Sequence, residues 1–229
     1  MTITKVGNYY LATMEDATLN EKDREDLAKL APEGLADELL EMVDEADEIA
    51  KPISLFAVCP VTDADENGVS VNGVRVDNPL VLEKLGEKKR CFPYLNTCGR
   101  ELEAWSEQYK DDPLGEFWAD EIKKRYLYRV GMATAQYIQD TYHLGGHRAA
   151  LNPGSRREWP VSGQKELFEM LGGAEFVKEQ IGVTYTNSFL MLPTKTTSGI
   201  IFESETFYVN CQYCPLEDCP NRRAPRIQA

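Results

Sequence analysis

A chain of 229 residues, 42% hydrophobic and 28% charged, carries enough apolar material for one folded core with room for an added lobe. No apolar run approaches the roughly 20 residues of a membrane span. The opening "MTITKVGNYYLATMEDATLN" lacks a secretory signal, so the expected setting is cytoplasmic with reduced thiols. The net charge of −13 is concentrated in residues 1–52, with five Lys/Arg against fourteen Asp/Glu, and argues against nucleic acid as a partner.

In chain order, a short lead precedes Asn20, which reads as the N-cap of a helix through "EKDREDLAKLA", with Glu21, Asp23 and Glu25 in its first turn. Pro32 starts a second helix, "PEGLADELLEMVDEADEIA", whose Leu35, Leu39, Leu40 and Val43 recur at helical spacing; Lys51-Pro52 breaks it. These two make residues 1–52 an acidic helical segment, either a docking face or two solvated surface helices. "ISLFAVCPV" reads as a buried strand and "NGVSVNGVRV" as a hairpin. "RCFPYLNTCG" is a strand and "RELEAWSEQY" a helix.

A long helix runs from Leu114 to about His143, and the breakers in "HLGGHRAALNPGSRREWP" predict a loop. "SGQKELFEMLGG" reads as a helix with Ser162 as N-cap, stopped by its glycine pair. "IGVTYTNSFLMLP" and "TTSGIIFES" are β-rich. The pattern lacks a steady βαβ beat and predicts an α+β fold: a mixed or antiparallel sheet flanked by helices over residues 53–205, with an N-terminal helical extension. Residues 206–229 form a cysteine-rich tail expected to pack on that core.

The tail places Cys211, Cys214 and Cys219 within nine positions, a spacing suited to tetrahedral zinc or an iron–sulfur cluster. Cys59, Cys91, Cys98, His143 and His147 are candidates for a fourth ligand. Cys98 is the expected one, because "TCG" ends a strand; Cys59 and Cys91 lie inside apolar strands and read as small buried hydrophobes. An open fourth position and three unliganded thiols are the alternatives. There is no Gly-x-Ser-x-Gly elbow, no His-Glu-x-x-His helix and no phosphate-cradling loop before a helix.

Pro153-Gly154, Trp159-Pro160, Gln164 with Leu167-Phe168, Ile181-Gly182-Val183, Ser188, Met191, Pro193, Lys195 and Ser198-Gly199 occur in a familiar order. Over roughly residues 145–225 the chain resembles the activation domain of cobalamin-dependent methionine synthase. It is more similar still to stand-alone bacterial and archaeal proteins that share that domain and end in a cysteine-rich tail. The resemblance implies S-adenosylmethionine bound beside a corrinoid, with one electron and a methyl group restoring methylcobalamin from inactive Co(II). It implies a ligand set of Arg148, Asn152, Pro153, Gly154, Lys195 and Ser198. The family loop runs Arg, two residues, Pro, Gly, Tyr; here Arg148 stands two residues further upstream and Ser155 replaces the tyrosine. Helix capping for Arg148, a core role for Trp159 and turn chemistry for Lys195 and Ser198 are the structural alternatives.

The expected function is an accessory role in reactivating or handling the corrinoid of a cobalamin-dependent methyltransferase. S-adenosylmethionine-linked methylation or iron–sulfur electron delivery would serve it. The alternative is a non-catalytic module with structural zinc at Cys98, Cys211, Cys214 and Cys219 that docks a corrinoid protein.

Overall fold

The computed structural model describes residues 1–229 except 15, 215, 217, 220, 221, 228 and 229. The first thirteen residues are not a lead into helices. Thr2–Val6 (β1) and Tyr9–Thr13 (β2) form a hairpin, and β2 pairs antiparallel with Ile53–Ala57 (β3), from Tyr9↔Ala57 to Thr13↔Ile53. The acidic segment of residues 1–52 is therefore helical only in its second part, and "YYLAT", with its two tyrosines, forms a strand held between β1 and β3.

Two helices follow. Glu21–Ala28 (α1) begins at Asn20, whose side chain accepts from the Asp23 amide at 2.9 Å, as the cap signal predicts. Ala36–Ile49 (α2) starts four residues after Pro32 and buries Leu39, Met42, Val43 and Ala46. These side chains join Leu102, Trp105, Trp118, Ile122 and Tyr126 in a helical lobe.

The strand expected from "ISLFAVCPV" is β3 plus Cys59–Thr62 (β4). Both share one register against Arg90–Thr97 (β7), from Ile53↔Thr97 to Pro60↔Arg90, with Val58 between them. Val69–Val71 (β5) and Val74–Val76 (β6) are the expected hairpin, turned by Asn72-Gly73 at φ of 52° and 78°. Pro79–Leu85 (α3), with Asn78 capping Leu80 and Val81, had no sequence reading; it precedes β7.

Arg100–Ser106 (α4) and Pro113–Thr141 (α5, 29 residues) come next, with Asp112 capping the Leu114 amide at 3.1 Å. Within the stretch read as a loop, His147–Leu151 (β8) is a strand on the open edge of the sheet. Its small Ala149 and Ala150 gave no strong strand signal, and its only ladder runs to Thr196–Ser204 (β11). Gln164–Met170 (α6) follows a 3-10 turn at Val161–Gly163, so Ser162 lies inside that turn and is not a cap. Ala174–Ile181 (α7) and the short pair Thr184–Tyr185 (β9) and Met191–Leu192 (β10) lead into β11.

The nine-stranded sheet is antiparallel throughout its pairings. Across one end the order is β8, β11, β7, β3, β2, β1; across the other, β5 and β6 extend from β4. One face carries a core of Leu55, Leu95, Leu151, Ile200 and Phe202 under Leu167, Phe168 and Val177 of α6 and α7. The other face packs Phe56, Phe92 and Ile201 against Ile138 of α5.

Candidate functional site

β8 ends in a tight turn. The Ser155 amide donates to the Asn152 carbonyl at 3.1 Å, and the Gly154 amide to the Trp159 carbonyl at 2.9 Å. Gly154 is exposed with φ of 81°, a conformation that a side chain disfavours. Trp159 is buried beneath the turn in the main core, which fits the core-anchor reading. Arg156 lies on the same turn and pairs with Glu158 at 2.5 Å. Burial works against the Arg156 charge, but the bonds to Glu158 and Tyr208 outweigh it and raise the pKa.

Arg148 lies half-buried on β8, laddered opposite Glu203, and its guanidinium has no hydrogen-bond or ion-pair partner among the described residues. Asn152 is fully engaged. Its amide donates to the Tyr94 hydroxyl at 2.8 Å and to the Ser198 carbonyl at 2.5 Å; its carbonyl accepts from Asn210 at 2.6 Å. Gly199 makes room for this knot, since a Cβ there would lie 2.4 Å from the Leu151 carbonyl oxygen and 2.5 Å from Asn152 Nδ2. Ser198 is buried, and its hydroxyl accepts from Gln164 Nε2 at 2.7 Å, while Gln164 Oε1 is buried with no partner among the described residues.

The tail rests against this turn. Besides the Asn210–Asn152 bond, the Arg156 guanidinium sits 4.4 Å from the centre of the Tyr213 ring. Tyr213 stacks on Tyr208 at 5.6 Å, and Lys84 lies 5.0 Å over Tyr208. The tail also folds back on itself: the Ile227 amide donates to the Gln212 carbonyl at 2.9 Å. Arg222 braces it, with its amide on the Cys219 carbonyl at 3.1 Å and its guanidinium on the Cys211 carbonyl at 2.6 Å and the Leu216 carbonyl. Cys211, Cys214 and Cys219 are all half-buried on this braced loop.

Not every predicted residue meets here. Cys98 is completely buried in the helical lobe, its thiol turned to the Gly99 carbonyl at 3.7 Å and pushed up to about 12 by burial, with Glu103 adding to the effect. Cys98 follows the last residue of β7 and packs into that lobe, so the structure does not bring it to the tail thiols. Lys195 accompanies it at the start of β11: its carbonyl accepts from the Cys98 amide at 3.0 Å and its ammonium pairs with Asp120 at 2.7 Å. Among the described residues no group of three or more His, Cys, Asp or Glu side chains is arranged to hold a metal ion. His147 meets Phe207 edge-on, with ring centres 6.3 Å apart. Cys59 and Cys91 face each other across β4 and β7, buried as expected.

Sequence reasoning singled out neither Tyr94, Asn210 and Tyr213 nor the brace role of Arg222. The aromatic run "FYVNCQY" was the one available hint.

No protein-family model and no curated protein sequence matches this chain. Among solved structures, the fold is similar to the MetH reactivation domain in its crystal structure bound to AdoHcy, with a TM-score of 0.59 and 10% identity, over 87% of this chain and 81% of that one. The likeness is one of fold: a mixed α+β architecture with an antiparallel sheet flanked by helices.

Proposed function

We propose that this protein is an accessory factor of cobalamin-dependent methyl transfer, holding a ligand of the S-adenosyl class on the edge of its sheet while a partner holds the corrinoid. The observation that carries the reading is the exposed, positive-φ Gly154 turn that closes β8, in a fold whose neighbour binds AdoHcy; Arg148, with no hydrogen-bond or ion-pair partner among the described residues, lies earlier on the same strand. A guanidinium fork on an edge strand suits an amino-acid carboxylate. Gly154 lets the backbone approach a nucleoside with no side chain in the way. When bound, S-adenosylmethionine would supply a methyl group to a reduced cobalt nucleophile of the partner.

Within this reading the predicted ligand residues divide by role. Arg148 and the exposed Gly154 meet the ligand, and the buried Pro153 shapes the turn between them. Asn152 and Ser198, whose polar atoms are engaged by protein groups, hold the turn in place. Lys195, paired with Asp120 at the start of β11, is left outside the site. Among the described residues an electron-carrying cluster has no ready ligand set, with Cys98 buried in the helical lobe, so no electron step is assigned to the tail. The partner on this reading is a corrinoid protein or methyltransferase. Among the described residues no helix is long and apolar enough to cross a membrane.

Calorimetry with S-adenosylhomocysteine and S-adenosylmethionine tests the proposal. Wild type binds, and Arg148→Ala weakens binding about 10- to 100-fold, the range of a charged hydrogen bond. Arg148→Lys keeps the charge, loses the fork and falls between. An absence of heat with both ligands in wild type refutes the reading.

A further inference from the structure

Opposite charges stand side by side on the open edge of the sheet and do not meet. In the ladder between β8 and β11, Arg148 lies directly opposite Glu203. Residues so placed project from one face with Cβ atoms about 4.5–5.5 Å apart, within easy reach for a guanidinium and a carboxylate. Yet no ion pair joins them, and neither side chain has a hydrogen-bond or ion-pair partner among the described residues. Glu203 lies instead against the glycine pair of "HLGGH". A Cβ at Gly145 would stand 3.3 Å from Glu203 Oε1, and one at Gly146 would stand 2.5 Å from the Ser204 carbonyl oxygen and 3.7 Å from Glu203 Cγ. Two residues along each strand, Ala150 and Ile201 belong to the cluster that includes Ile138 of α5. Arg148, half-buried, and Glu203, exposed, therefore mark where that face opens to solvent.

An unpaired cation beside an unpaired anion is the complement of a zwitterion. We propose that Glu203 is a specificity-determining residue, receiving the ammonium of an α-amino acid whose carboxylate is held by Arg148. The inference rests on the function proposed above and deepens it: the site reads the amino-acid end of the S-adenosyl ligand at both of its charges. An ammonium offers three donors and no acceptor, and an ionised carboxylate only accepts, so the two match. Arg148 only donates, so it takes the ligand carboxylate and turns the ammonium away, toward Glu203. The pair thereby fixes which way round the amino acid lies. It also separates such ligands from nucleosides that lack that end.

Calorimetry on the full chain with three probes tests the assignment: S-adenosylhomocysteine, its analogue lacking the α-amino group, and methylthioadenosine, which lacks the whole amino-acid end. Wild type binds the first most tightly. Glu203→Gln keeps the shape of an exposed side chain, and circular dichroism verifies that the variant is folded. It weakens S-adenosylhomocysteine about 10-fold, the low end for a charged hydrogen bond because the site is open to solvent. The deaminated analogue binds Glu203→Gln as it binds wild type. Arg148→Ala weakens both ligands that carry the carboxylate, and neither substitution changes methylthioadenosine. Equal losses for S-adenosylhomocysteine and its deaminated analogue in Glu203→Gln overturn the proposal, because the effect is then not on the ammonium. Unchanged or tighter binding of S-adenosylhomocysteine by Glu203→Gln overturns it too, since Glu203 then merely competes with the ligand for Arg148. In both cases wild-type binding leaves the function proposed above standing. No heat with any of the three probes in wild type refutes that function, and this inference with it.

Discussion

Replacing Asn152 by Ala separates a positioning role from a ligand-binding one. The side chain joins three parts of the chain: Tyr94 of β7 at 2.8 Å, the Ser198 carbonyl of β11 at 2.5 Å and Asn210 of the tail at 2.6 Å. Each neutral bond contributes about 0.5–1.5 kcal/mol net, and leaving a buried partner unsatisfied adds to the loss. Tyr94 is nearly buried, whereas the Asn210 contact is partly wet, so the expected cost is about 2–3 kcal/mol. For a chain of this size that lowers Tm by roughly 4–12 °C. Thermal unfolding followed by tryptophan fluorescence is apt, because Trp159 is buried under the same turn. Tyr94→Phe costs about 1 kcal/mol, and the double variant falls short of additivity by a similar amount. The reasoning is refuted if Asn152→Ala melts within about 1 °C of wild type but no longer binds S-adenosylhomocysteine; Asn152 would then be a ligand contact.

The remaining predictions concern thiols and acid. Under native conditions at neutral pH, a disulfide reagent titrates only the half-buried Cys211, Cys214 and Cys219, since burial pushes Cys59 and Cys98 up to about 12 and Cys91 up as well; all six react in denaturant. Fast reaction of more than three in the folded protein would contradict the burial. Burial alone would raise the Glu103 pKa, but bonds from Thr194 and the nearly buried Lys123 outweigh it and hold the carboxyl below its ordinary value of 4.5. A depressed carboxyl pKa stabilises above the unfolded value and loses that contribution as pH falls through the folded one. Glu103→Gln is therefore less stable than wild type at pH 7, and the gap closes below about pH 4.5; a gap constant with pH would show that the carboxylate charge is immaterial.

Local signals in the sequence translated directly into structure where one segment decided the outcome. Asn20 caps α1, Asn72-Gly73 turns the second hairpin, Lys51-Pro52 ends α2 and the glycine pair stops α6. The misses were elements that depend on distant partners. β8 is five residues with two alanines, stabilised by β11 some fifty positions later, and β1–β2 owe their place to β3. The site divides similarly. Arg148 and Pro153-Gly154 lie in one short stretch of sequence, so a local reading could single them out together. The grip on Asn152 was not, because Tyr94 and Asn210 each lie 58 residues away. Cys98 was expected beside the tail thiols because it ends a strand, but which core a residue enters at a strand's end depends on distant elements, and here it packs among the helices of the lobe.

The sheet's connectivity also sets an order of assembly. β7 is flanked by β3 and β4 on one side and β11 on the other, with pairings as distant in sequence as Phe92 with Ile201. β8 docks on β11, and β11 on β7, so the edge bearing Arg148 has nothing to build on until the middle of the sheet is in place. Loop closure over such separations is slow, which makes that edge a late arrival during folding and an early departure when the molecule loosens.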